Sequence, residues 1–566
     1  MLRLSYIVLV VVCCLPIIPG LTGVLVSSLG YIPPLAMTEF SLIGYQQLTT
    51  WNGIELSIAT TLFSAVASTM LAALFCFAIV QRLWLSRYWH KVETLLAPLL
   101  ALPHVAFAIG FAFLFAPTGF IARLAFELLN WQTDTSAQAL LVNDAYALGL
   151  TLALAFKELP FLLLMSIPVL QQLKLEQSYK IATMLGYSPA QMWLKIVFPQ
   201  WLSKMRFALF AVIAYGASVV DVALILGPTN PPTFAVLVWQ WFNDPELALL
   251  PRASAGAVTL FALASGLMVL LVVVEKSVVT HFNQWQFSGR AGRRLPGITI
   301  LSSALLLGAI ILPLLTVWSF AQRWRFPDLI PSQFSLRFWQ FEWSNMVPTL
   351  LNSVLIAVIV ASIALLLALI AHEFKLKYRW HLPDYLIALP MLIPQLSMLF
   401  GIQVVALYLA SDHFVFWVVW SHIFFAFPFV YLALDGPWKS YDPNYTRAGL
   451  SLGKSPLRVF LIVKLRMLLP ALLYAWAVGA SVSLAQYLPT LMLGGGRLAT
   501  ITTEAVALSS GYDRRVTAIY ALWQAMLPLV FFSAALLASR FTTRRSSSVV
   551  KERTVNDSFN KRPHHL

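Results

Sequence analysis

The chain of 566 residues is 59% hydrophobic and only 11% charged, with a mean hydropathy of +0.78, which leaves too little polar surface to cover a soluble globule. Its formal charge of +15 does not mark a nucleic-acid binder, because the lysines and arginines stand in short groups between long apolar runs, and no nucleic-acid partner is expected. The three cysteines, Cys13, Cys14 and Cys76, fall inside such runs, so neither a disulfide framework nor a metal site is expected, and no cofactor.

Runs of ~20 residues or more, long enough to cross a hydrocarbon core of about 30 Å as helix, occur at 5–29, 54–80, 96–117, 147–170, 205–227, 253–275, 298–320, 350–372, 385–409, 413–435, 469–493 and 517–539. They predict an all-α integral membrane protein of about twelve transmembrane helices, six in each half. Met1 to Leu29 begins like a secretory signal, with Arg3 before an apolar run. The run exceeds the ~7–15 residues of a signal core, so it is read as an uncleaved first span.

In chain order the two halves carry matching marks. Phe40-Ser41-Leu42 precedes the span with Ser57, and Phe334-Ser335-Leu336 precedes the span with Ser353. Tyr45, Trp51, Trp339 and Trp343 in these lead-ins suit interfacial anchoring. Pro103 with Gly110 corresponds to Pro394 with Gly401; His104 follows the first proline and reads as hydrogen-bonded packing, and Gln395 follows the second. Asn130 to Asp144 has no counterpart and reads as an insertion in an outer loop. Lys157 and Glu158, just before Pro160-Phe161, would be costly in a span unless paired or wetted.

The polar island from Leu175 to Pro199 returns in similar form at Tyr445 to Leu465. Glu176 to Leu185 predicts a short helix, Gly186 its left-handed end, and Ser188-Pro189 the N-cap and first position of another helix. Asp442-Pro443, Gly453 and Ser455-Pro456 repeat this grammar. Gly186, Ser188 and Pro189 fall on Gly453, Ser455 and Pro456 at one offset of 267 positions. Each half therefore predicts a helix-turn-helix elbow. With both elbows on one side, 29 of the 38 lysines and arginines share that side, eight lie opposite and Lys157 lies in a span. The positive-inside rule then makes the elbow side and both termini cytoplasmic.

The elbows resemble the cytoplasmic loop of binding-protein-dependent ABC importer permeases, whose form is Glu-Ala-Ala, three residues, Gly, nine residues and Ile-x-Leu-Pro. Ala182, Gly186, Ile196, Phe198 and Pro199 match in the first copy, and Ala448, Gly453, Val463 and Leu465 in the second. Lys180 and Arg447 replace the acid of the pattern, Ile181 and Gly449 replace alanines, and Arg466 replaces the final proline. The resemblance is closest to fused two-repeat permeases of thiamine or ferric-iron type, or an uncharacterised subgroup of them.

It implies two parallel repeats, 1–280 and 297–539, joined by a cytoplasmic linker at 281–296 and followed by a disordered basic tail at 540–566. It also implies a multi-pass protein of the bacterial inner membrane, moving a small solute from a periplasmic binding protein under the action of an ATP-binding cassette dimer on the cytoplasmic side. Residues implied to couple to the ATPase are Ala182, Leu185, Gly186, Ser188, Pro189 and Pro199 in the first elbow. Ala448, Leu452, Gly453, Ser455 and Pro456 are their counterparts in the second.

After each elbow comes Gly216-Ala217-Ser218-Val219 or Gly479-Ala480-Ser481-Val482, small residues that suit close helix packing. Ser218 and Asp221, like Ser483 and Gln486, are three positions apart and share a helix face, so these four are candidate pathway residues, the alternative being a structural hydrogen bond that locks this helix to a neighbour. Val236–Trp241 and Leu498–Leu508 are apolar but short, like surface or re-entrant elements. Gly453-Lys454-Ser455 mimics a phosphate loop but lacks its first glycine and its strand-loop-helix setting. No catalytic constellation is present, so the chain is read as a transport subunit and not an enzyme. An ion-coupled secondary transporter, which also uses repeats, is the alternative; the paired docking elbows set the two apart.

Overall fold

The structure, a computed structural model, describes residues 2–131, 140–287, 292–378, 381–408, 413–511 and 513–559. Of the insertion at 130–144, residues 132–139 lie outside the described residues, as do 288–291 of the linker and 560–566 of the tail.

Among the described residues nine helices are long and apolar enough to cross a membrane: Leu2–Ser28, Ile54–Leu83, His104–Leu129, Leu148–Gln172, Leu247–Thr280, Gly297–Phe320, Arg337–Lys377, Phe414–Ser440 and Arg514–Arg540. Two bent pairs raise the number to eleven, Pro189–Lys204 with Arg206–Ser218 at 64° and Pro456–Met467 with Leu469–Leu484 at 78°. The expected twelve spans are thus corrected. The run at 385–409 is broken into Asp384–Ile387, a 3-10 turn Leu389–Met391 and Gln395–Tyr408, since Pro390 and Pro394 each remove a ladder donor. The run at 205–227 halts at Val219, which is extended, before Asp221–Leu226. That at 469–493 halts at Leu484 before Leu488–Gly494, where Pro489 has no amide for the carbonyl of Ala485.

Three other expectations change. A short antiparallel pair, Ala321–Arg323 with Gln333–Phe334, interrupts the all-helical pattern. The apolar segments after each fifth run form helices Phe234–Phe242 and Ile501–Ser509, mostly buried and not at the surface. Helix Leu250–Phe287 continues into the expected linker, and Arg514–Phe559 into the expected disordered tail; no proline or glycine stands between Pro528 and Pro563 to stop it.

The core is closed by glycine contacts that cross the halves. Helix Ile17–Ser28 packs along Gln395–Tyr408, and Gly297–Phe320 packs along His104–Phe115. A Cβ on Gly401 would stand 1.6 Å from the carbonyl oxygen of Gly20, and one on Gly110 would stand 2.4 Å from Cγ2 of Ile311. Each half's opening helix therefore rests on the other half's third run. A Cβ on Gly216 would lie 3.3 Å from Cα of Ala65, and one on Gly479 the same 3.3 Å from Cα of Ala361, so the small residues after each elbow serve close approach, as expected.

The two short buried helices are held at their N-termini, where amides lack intrahelical partners. Ser57 donates to the carbonyl of Pro232 at 2.6 Å, and the amide of Phe234 donates to Thr61 at 2.7 Å. In the second half the amide of Ile501 donates to Ser353 at 2.8 Å, and Thr500 and Thr503 cap reciprocally. Hydroxyls on the neighbouring long helix make burial of these ends possible.

Candidate functional site

Both elbows form the turn their residues predict. In the first, helix Leu175–Met184 ends with the amide of Tyr187 on the carbonyl of Ala182 at 2.9 Å and Gly186 at φ +77°, a left-handed closure that glycine alone reaches without strain. Ser188 opens the next helix, its oxygen accepting from the Gln191 amide while its own amide donates to Gln191 Oε1 at 2.7 Å, with Pro189 as first residue. In the second, the Asp442 carboxylate accepts from the amide of Asn444 at 2.9 Å, helix Pro443–Ser451 follows, and Gly453 closes it at φ +72°. Ser455 sits at the N-cap without a capping hydrogen bond; its third helical residue is Arg458, which cannot return one as Gln191 does.

Each elbow continues into one π-helical turn, Trp193–Val197 and Phe460–Lys464, again 267 positions apart. Pro199 follows the first and Arg466 holds its place in the second, so the proline is not what makes the turn. Lys464 reaches Glu373 and sits over the rings of Trp438 and Tyr441, 4.3 and 5.2 Å from their centroids.

Exposure separates the coupling candidates. Leu185, Gly186, Ser188 and Pro189 are exposed, as are Ala448, Leu452, Gly453, Ser455 and Pro456. Ala182 is buried, and Gly449, 267 positions on, is buried with its missing Cβ only 2.9 Å from Val459 Cγ1. The position four before the turn glycine thus packs the elbow's first helix on its second, and Ala182 shapes the elbow from inside.

Deeper in the bundle lie two polar groups. His104 Nε2 is 2.9 Å from Glu158 Oε1, joining the start of helix His104–Phe115 to the middle of Leu148–Gln172. The neighbouring Lys157 is buried and its ammonium points at the carbonyl of Leu99 at 3.4 Å. Asp221 lies within electrostatic reach of His104, Tyr215 and Tyr487. Asp221 thus neighbours the His104 that bonds Glu158, while Ser218 donates back to the carbonyl of Ala214 at 2.8 Å; the helix face expected to join Ser218 to Asp221 is broken at the extended Val219.

In the second half Ser483 is 2.9 Å from His422 Nδ1, and His422 Nε2 is 2.9 Å from Thr490 Oγ1. Thr490 donates to the carbonyl of Gln486 at 3.0 Å, so its oxygen accepts from Nε2–H and Nδ1 accepts from Ser483. Gln486 is buried, its Oε1 without a partner among the described residues. The sequence reading missed His422 and Thr490; no periodicity joins His422 to Ser483, 61 positions away, whereas Thr490 stands four positions after Gln486, a helical spacing that could have found it. For Glu158 the one available signal was the cost of a charge inside a span.

No protein-family model matches the chain. It is similar to the inner membrane ABC transporter permease protein YnjC of Escherichia coli strain K12, 33% identical over 515 residues, 90% of this chain and 93% of that one. More distantly, the putrescine transport system permease protein PotI of the same strain is 22% identical over 30% of this chain and 63% of its own length. The spermidine/putrescine transport system permease protein PotC homolog of Mycoplasma genitalium is 26% identical over 29% and 59%.

Proposed function

The chain belongs to the inner-membrane ABC transporter permeases, and on that premise we propose that it is a fused permease whose two halves enclose one solute pathway and whose two elbows dock two ATPase domains. As a permease it is the transport subunit, and hydrolysis belongs to its partner.

The observation that carries the docking reading is the pair of elbows, with the same turn glycine, N-cap serine and π-helical turn at one spacing. On this reading the repeats span 1–280 and 297–539, the elbows and both termini are cytoplasmic, and a periplasmic binding protein loads solute on the far side. For the fused form we keep the thiamine or ferric-iron type, or an uncharacterised subgroup of it, on the strength of the two elbows in one chain. Glu158 and Asp221, set with His104 between helices and only partly offset by the buried ammonium of Lys157, are the groups on which a cationic solute would act, and the putrescine named for PotI is such a cation.

The decisive experiment purifies the chain from its native membrane with the ATPase and binding protein that accompany it, identifies the co-purified ligand by mass spectrometry, and measures uptake into proteoliposomes. Uptake should require ATP and all three components. Uptake driven by an ion gradient without the ATPase would overturn the proposal. Cysteines at Leu185 and Ala448 should crosslink to the ATPase, and labelling of either from the periplasmic side alone would count against the orientation.

A further inference from the structure

Against the first elbow lies a cavity of about 470 Å3, lined by Arg82, Glu176, Tyr179, Lys180, Trp193 and Arg294 among others. Its lip is the stretch that joins the two halves. Gln81 accepts from the amide of Leu295 at 2.9 Å and donates to the carbonyl of Arg293 at 3.1 Å. Gly292 lies so close to Gln191 that a Cβ would be 2.7 Å from the Gln191 nitrogen. Residues 292–295 are thereby strapped across the elbow, and Arg294 faces the same space as Lys180.

Three cations and one acid line this space, and no ion pair among the described residues involves Arg82, Lys180 or Arg294. Lys180 is exposed, six positions before the turn glycine. At the second elbow Arg447 holds that place, bonded to Asn444 Oδ1 at 3.3 Å and in no ion pair among the described residues, with Lys454 and Arg458 exposed nearby. Apolar knobs stand beside both, Leu185 at 62% exposure and Leu452 at 76%. A surface that seats these elbows must cover an apolar tip and a cation not neutralised by an acid among the described residues, and a base opposite that cation would be repelled.

We propose that the ATPase surface docking on each elbow is acidic opposite Lys180 and Arg447, and that at the first elbow one of its carboxylates enters the socket between Arg82, Lys180 and Arg294. The proposal rests on the elbows being the ATPase face. It adds that partner choice is made by charge of the sign opposite to the acid of the permease pattern, and that the first contact, roofed by the joining stretch, is deeper than the second.

The test uses the full chain in nanodiscs of phosphatidylcholine alone, with the ATPase that co-purifies with it as the probe. Wild-type docking should weaken as salt rises, and Lys180→Glu with Arg447→Glu should weaken it about tenfold or more at low salt. Lys180→Gln, a milder change on an exposed side chain, should give a smaller loss. Carbodiimide coupling should join the Lys180 amine to an Asp or Glu of the ATPase. Salt-insensitive docking, or wild-type affinity in the charge-reversed variant, overturns the proposal. So does protection of Lys180 only when phosphatidylglycerol is added, which would make a lipid headgroup the occupant. If instead the wild type binds no ATPase, and Leu185→Asp with Leu452→Asp changes nothing, the docking reading itself is what has failed.

Discussion

In the first half of the chain a histidine beside a proline meets a glutamate, with Asp221 within electrostatic reach; in the second, a histidine is held between two hydroxyls next to a buried glutamine. The scaffolds around them are alike: a glycine pressed on an alanine after each elbow, a serine tied to a short buried helix, a π-helical turn at one spacing. Backbone geometry is set by small residues and turn residues, which both halves retain. The charge at these two places is set by a few side chains that the scaffold does not specify, so the group around His104 carries acids and the group around His422 is a neutral network. Neutral hydroxyls suit a locked joint, since every donor there has an acceptor. A carboxylate kept between helices suits an ion that comes and goes.

The largest expected effect tests the shared scaffold. Gly401→Ala sets a methyl against the backbone of Gly20 and should abolish the folded chain, seen as loss of the monodisperse peak in fluorescence-detected size exclusion. Gly110→Ala meets the side chain of Ile311, which can move, and should cost only about 1–3 kcal/mol.

The polar groups come next. Asp221→Asn and Glu158→Gln should each cut uptake about tenfold or more while the ATPase still co-purifies. His422→Gln should leave uptake closer to wild type and instead cost about 1–3 kcal/mol of thermal stability, because it orphans Ser483 or Thr490. Equal uptake losses at Glu158 and His422 would erase the distinction between the halves.

The elbows should respond alike to Gly186→Val and Gly453→Val, each straining a left-handed residue by about 1–3 kcal/mol and lowering ATPase affinity. They should part company at their caps. Ser188→Ala should cost about 1 kcal/mol, and Ser455→Ala close to nothing, since only Ser188 makes the capping bonds.

The smallest effect concerns a tie found in the second half. Lys375 grips Asp384 at 2.6 and 2.7 Å and Tyr431 donates to it at 2.8 Å. Burial opposes the charged form, but these bonds outweigh it and hold the Asp384 carboxyl below its ordinary range. A depressed carboxyl stabilises above its unfolded pKa and loses that contribution as pH falls through the folded one. Thermal stability should therefore decline below about pH 4, and Asp384→Asn should flatten that part of the profile.

What could be read without a structure was local. Apolar run length reports a membrane span because lipid leaves a helix no other way to satisfy its backbone. Gly186 and Gly453, followed by Ser-Pro, report a turn because few residues tolerate left-handed backbone or start a helix so readily. The lysine and arginine count favours an orientation. None of these needs a distant neighbour.

Tertiary structure decided the rest, since it depends on which helix faces are brought together. His104 and Glu158 are 54 positions apart, and only the packing of two helices places their rings and oxygens at bonding distance. Ala182 fitted a docking motif, yet its side chain turns inward because the elbow's second helix folds back over it. The break at Val219 belongs to the same class, as do the hydroxyls that let two short helices lie buried. Local chemistry states what each segment can do; the mutual rotation of packed helices, fixed by contacts such as Gly401 on Gly20, selects which of those capacities meet.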